Sequence, residues 1–108
     1  MTTFDERERA FEKKFEHDQD LQFKVNARKN KLLGLWAAGL MGKTGADAEA
    51  YAKEIVLANF EKPGDNDVIH KLMRDLAAAG KPTEDHTIRK QGERLRDEAK
   101  AQVMKETH

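Results

Sequence analysis

The chain has no cysteine, which excludes both a disulfide framework and a thiolate metal site. It has no net charge either, because twenty Lys and Arg offset twenty Asp and Glu. A nucleic-acid partner is therefore not expected, since its ligands carry a net basic face. No stretch approaches the roughly 18 consecutive apolar residues of a membrane span. The N-terminus is acidic and charged where a signal peptide is basic and then apolar. The expected location is the cytoplasm, with no direct membrane insertion. The four histidines, His17, His70, His86 and His108, are scattered and match no ligand spacing of the His-Glu-x-x-His kind, so no metal is expected. Period-two alternation is missing throughout, and with it any sign of a strand.

What remains is helix. Apolar residues make up 38% of the 108 positions and charged residues 37%, so apolar surface has to be concentrated on helix faces of a single domain. Thr3 and Glu6 spell a capping box. Behind it Phe4, Phe11 and Phe15 fall at i, i+7 and i+11 on one stripe, which continues through Leu21, Val25, Leu32, Leu35, Trp36 and Leu40 to the glycines at 39, 42 and 45. The polar run from Glu16 to Asp20 reads as an interruption or a mobile joint. Thr44 caps the next pattern, which carries Tyr51, Ala52, Ile55, Val56 and Phe60 and stops at Pro63-Gly64. Asp65 or Asn66 caps a third, with Val68, Ile69, Leu72, Met73 and Leu76, closed by Gly80. Thr83 caps the last, whose stripe is Ile88, Gly92, Leu95, Ala99 and Val103. These signals predict an all-α protein: a four-helix bundle over 19–108, with helices at about 20–41, 46–61, 66–79 and 84–105, behind a helical or partly disordered extension over 1–18. Trp36, the sole tryptophan, is expected to anchor the core.

Two features bear on chemistry. Residues 37–44, Ala-Ala-Gly-Leu-Met-Gly-Lys-Thr, satisfy a relaxed phosphate-loop pattern, but a working loop sits between a strand and a helix N-terminus. Here an amphipathic helix precedes it, so the favoured reading is a helix end, a turn and the next cap. The basic run Lys24, Arg28, Lys29 and Lys31 is either an anion-binding patch or a solvated helix face. ATP or ADP contact through Lys24, Arg28, Lys29, Lys43 and Thr44 is left open, and no other cofactor is expected. No Ser/His/Asp or Cys/His arrangement is present, and nothing converges on His70 to make it a general base, so the chain is not expected to be an enzyme.

The N-terminal stripe has a stronger claim to function. Residues 5–18 hold six acids and four bases, and three phenylalanines are few anchors against the ordering entropy of such a segment. A loosely held amphipathic helix of this kind suits a partner's groove as well as its own chain.

The combination Thr3-Phe-Asp-Glu-Arg-Glu-x-Ala-Phe-Glu-x-Lys-Phe, Phe23-Lys24, the run from Ala27 to Ala38 and Asp47-Ala-Glu-Ala-Tyr-Ala-Lys-Glu resembles the zeta subunit of α-proteobacterial F-type ATP synthases. The resemblance spans essentially the whole chain and is looser beyond residue 80. It implies a four-helix bundle and an inhibitor of ATP hydrolysis that is peripheral to the inner membrane through the synthase. In the family the N-terminal segment inserts as a helix at an α/β catalytic interface near the γ rotor and blocks rotation in the hydrolytic direction. Carried onto this sequence, that segment runs from Thr2 to about Asp18, with Phe4, Phe11 and Phe15 as anchors and Asp5, Glu6, Arg7, Glu8 and Arg9 as polar contacts. The α, β and γ subunits are then the partners. A nucleotide-binding helical module and a structural adaptor for an unknown helical partner are the alternatives.

Overall fold

The structure, a computed structural model, describes residues 3–62 and 64–106, the side chains of residues 3–5 excepted. Five helices follow one another: α1 (Thr3–His17), α2 (Gln19–Leu40), α3 (Gly45–Glu61), α4 (Asp65–Ala78) and α5 (Asp85–Glu106). No strand occurs among the described residues.

The helix boundaries have local causes. Asp18 alone separates α1 from α2. Its backbone is extended, and its carboxylate accepts from the Leu21 amide at 3.1 Å. At the far end of α2, Gly42 takes a φ of 81°, and Lys43 N–H reaches back to the Ala38 carbonyl at 2.9 Å, closing a left-handed C-terminal turn. Thr44 precedes α3, but only its carbonyl takes part, accepting from Asp47 and Ala48, and its hydroxyl makes no cap bond. Gly64, not Asp65 or Asn66, is the residue before α4, which leaves Asp65 and Asp67 in the first turn where they complement the helix dipole. Thr83 does not cap α5. Its hydroxyl donates to the Lys81 carbonyl at 2.9 Å, while the Glu84 carbonyl receives the Ile88 amide.

α2 is the hub. It lies along α3 on one side and α5 on the other, and α4 closes against α3 and α5. The closest approach is at Gly34, where an added Cβ would stand 2.7 Å from Ala52 Cα, so only glycine allows α2 and α3 this near. Cross-links fix the arrangement. Asn26 donates to Asn59, Tyr51 to Asp75, and Arg89 to Asn66.

The core has two parts. The larger holds Leu33, Ile55, Leu72, Leu76 and Ile88, contributed by α2 to α5. The smaller holds Leu21, Val25, Ala99, Val103 and Met104 under Phe11 and Phe15 of α1. Leu32 touches both. Trp36 does not anchor the core; it is partly buried at its edge, and Leu33 takes the central place. On α2 the buried face runs through 21, 25, 29, 30, 33, 34, 37 and 38, not through Leu35 and Leu40, because a hub helix has to cover neighbours on several sides.

Candidate functional site

Of the N-terminal candidates, Phe4 and Asp5 have side chains outside the described residues. Phe11 and Phe15 are both buried, 8% and 9% exposed, with ring centroids 6.2 Å apart and nearly parallel. Their seat is formed by Leu21 and Val25 of α2 and by Ala99, Val103 and Met104 of α5. Two cations of α5 complete it. The Lys100 ammonium stands 4.6 Å from the Phe15 ring centre and the Arg96 guanidinium 5.6 Å, each facing the electron-rich ring. Lys100 also pairs with Glu12 at 2.7 Å. Glu6, Arg7, Glu8 and Arg9 are exposed on the outward side of α1. Glu8, Arg9, Glu12, Lys13 and Glu16 line an open furrow along α1 that carries both signs of charge.

Where α1 meets α2 the chain is stitched. The Gln22 carboxamide donates to the Phe15 and Glu16 carbonyls at 2.8 and 3.3 Å, and so satisfies two acceptors that the end of α1 leaves unpaired. Gln22, Arg96 and Lys100 were not picked out by sequence periodicity. Their roles depend on which face of α5 meets α1, and an apolar stripe does not encode that.

The cationic candidates separate. Arg28 reaches α5, where its guanidinium grips both Glu106 oxygens at 2.7 and 2.8 Å and donates to Gln102 at 2.8 Å. This fork holds the Glu106 carboxyl below its ordinary pKa, with a smaller contribution from Lys24. Lys29 is 7% exposed and meets Asp65, at the start of α4, at 2.9 Å. Both are therefore engaged in holding helices together. Lys24 is exposed on the first half of α2. Lys43 and Thr44 lie in the exposed α2–α3 turn, with roughly 18 Å of helix between Arg28 and the end of α2. The structure does not bring the two groups together. The phosphate-loop pattern itself spans the buried Ala37 and Ala38 of a helix end and the turn after it.

A seated helix with charge outward and two phenylalanines inward is compatible with several binding roles, and comparison with known proteins narrows them. The profile of the family described as ATPase inhibitor subunit zeta matches residues 1–102. The chain belongs to that family. The family supports a role as an ATPase inhibitor, a regulatory one. A solution NMR structure is 45% identical to it, covering 80% of this chain and 98% of that one, with a TM-score of 0.70. No curated protein matches the chain. Among the described residues no helix is long and apolar enough to cross a membrane.

Proposed function

We propose that this zeta-family chain inhibits ATP hydrolysis by an F-type ATP synthase with α1 as the inhibitory element and α2–α5 as a four-helix carrier. In this reading α1 leaves its seat, hinging at Asp18, and residues 1–18 form the inhibitory segment. They fold into an α/β catalytic interface beside the γ rotor and so stop rotation in the hydrolytic direction. Phe4, Phe11 and Phe15 are the apolar anchors, and Asp5, Glu6, Arg7, Glu8 and Arg9 the polar contacts. The α, β and γ subunits are the partners, which places the chain on the cytoplasmic side of the inner membrane.

The observation that carries the proposal is how α1 is held. Among the described side chains two phenylalanine rings are its buried apolar anchors, and a single residue, Asp18, separates it from α2. Burying two such rings is worth about 3–6 kcal/mol, the Lys100 and Arg96 cations over Phe15 add about 0.5–1 kcal/mol each, and the half-buried Glu12–Lys100 pair adds at most ~1 kcal/mol. Against this stands the ordering of a 15-residue helix, a length at which isolated helices are only marginally stable. α1 thus belongs to the low-stability end of the molecule, from which switching elements are drawn. Truncation tests the reading. A chain beginning at residue 19 should keep the circular dichroism of a helical protein and lose inhibition of the cognate ATPase head. Full inhibition by the truncated chain would refute it.

A further inference from the structure

Three of the large hydrophobic side chains exposed among the described residues sit at neighbouring positions of α2 and α3. Phe23 is 51% exposed, Leu57 49% and Phe60 55%, and the two rings meet edge to face with centroids 5.0 Å apart. They are not a frayed end. Beside them the Asn26 carboxamide donates to Asn59 at 2.8 Å, and Asn59 in turn donates to the Gly64 carbonyl, so the platform is braced. From Phe23 an open groove runs across the exposed face of α2, walled by Val56 of α3 and Val103 of α5. Its charged rim is Lys24, Arg28, Lys31 and Glu106. Arg28 and Glu106 are matched to each other. Lys24 and Lys31 close no ion pair among the described residues, and with three cations to one carboxylate the rim is net cationic even though Glu106 also feels Lys24.

An apolar floor with preformed aromatic ridges and a cationic rim fits the apolar stripe and acidic flank of an amphipathic helix. A second copy of this chain fits poorly, because a two-fold contact through the groove would bring two net-cationic rims together. A lipid surface fits poorly as well, since three cations beside one carboxylate fall short of the roughly four to eight that mark anionic-lipid binding, and the surface is a groove and not a protruding face. We propose that the groove beside Phe23, whose ring is backed by Phe60, is a second docking surface, which takes an acidic amphipathic helix on the outside of the same ATPase head. The proposal rests on the function proposed above, and it assigns to the carrier the task of keeping the released α1 close to its target.

The test uses the full chain, its Phe23→Ser/Phe60→Ser variant and its Lys24→Glu/Lys31→Glu variant. Each is first checked for unchanged helicity and then measured for binding to, and inhibition of, the cognate head. The aromatic variant should leave the head about tenfold faster. The charge variant should associate more slowly and with a weaker salt dependence. Both should still inhibit at saturation, because α1 is intact. Wild-type rate constants in both variants, with the unaltered chain inhibiting, would overturn the groove alone. Failure of the unaltered chain to inhibit would overturn the proposed function, and this proposal with it. Sedimentation equilibrium and co-sedimentation with phosphatidylserine–phosphatidylcholine vesicles cover the other occupants. A dimer abolished by the aromatic variant, or vesicle binding abolished by the charge variant, would each overturn the proposal.

Discussion

The Asn30 carboxamide is 1% exposed on α2, and neither its nitrogen nor its oxygen finds a hydrogen-bond partner among the described residues. Leaving such a group unpaired costs about 1–3 kcal/mol. Asn30→Leu, close in shape and without polar atoms, should therefore raise the melting temperature by several degrees, and a fall on thermal denaturation would contradict this. Tyr51 gives a second prediction at this scale. Burial, then the bond to Asp75 at 2.8 Å, pushes the phenol pKa well above its ordinary value. The folded state thus keeps a proton that the unfolded chain gives up above about pH 10. The stabilisation is fully present below that pH and is lost progressively as the pH rises beyond it. Tyr51→Phe should be less stable at neutral pH yet show a shallower alkaline loss, read by urea denaturation from pH 8 to 11. Single residues are also where spacing misleads. Phe60 continues the three- and four-residue spacing of α3 but is exposed, its ring set against Phe23 of α2 and not in the core. Phe23, two positions from the buried Leu21, was already off the apolar stripe, and that offset is the signal that places it on the surface.

At the scale of elements, the breaks between helices were legible because each is written in backbone chemistry. The glycines near residue 42, the Pro63-Gly64 pair and Gly80 all fall where helices stop. The polar run from Glu16 to Asp20 contains the break between α1 and α2, narrowed by the structure to Asp18. The partners of each face were not legible, since periodicity gives a stripe's direction on its own helix and says nothing about what it meets. α1 shows the consequence. Its phenylalanine stripe was readable from spacing, whereas its seat depends on Arg96 and Lys100, which look like ordinary solvated charges in the sequence. If the seated and the inserted forms of α1 compete, weakening the seat favours insertion, because the apparent affinity scales with the fraction already released. Lys100→Ala removes the pair with Glu12 and the cation over Phe15. It should lower amide-exchange protection in residues 6–17 and reduce the concentration needed for half-inhibition, by up to about fivefold if ~1 kcal/mol is lost. Unchanged protection, or weaker inhibition, would count against the competition.

The molecule as a whole is built in two parts around α2. The larger core needs only α2 to α5, and the smaller one is covered by α1. The proposed release of α1 would therefore leave the larger core untouched and uncover Leu21, Val25, Val103 and Met104, an apolar face that would favour reseating. All-helical architecture followed from composition and spacing alone. The division of the core in two did not, because it depends on α1 folding back onto the end of α5, more than eighty residues away in sequence. The lack of cysteine makes the decisive measurement simple, since Glu12→Cys/Lys100→Cys introduces the sole two thiols, at positions that touch when α1 is seated. ATP hydrolysis by the cognate head should be measured with this variant before and after bridging by a short bismaleimide. If α1 must leave its seat to act, the open form inhibits and the bridged form, equally helical, does not. Equal inhibition by the two forms would contradict a detachable α1.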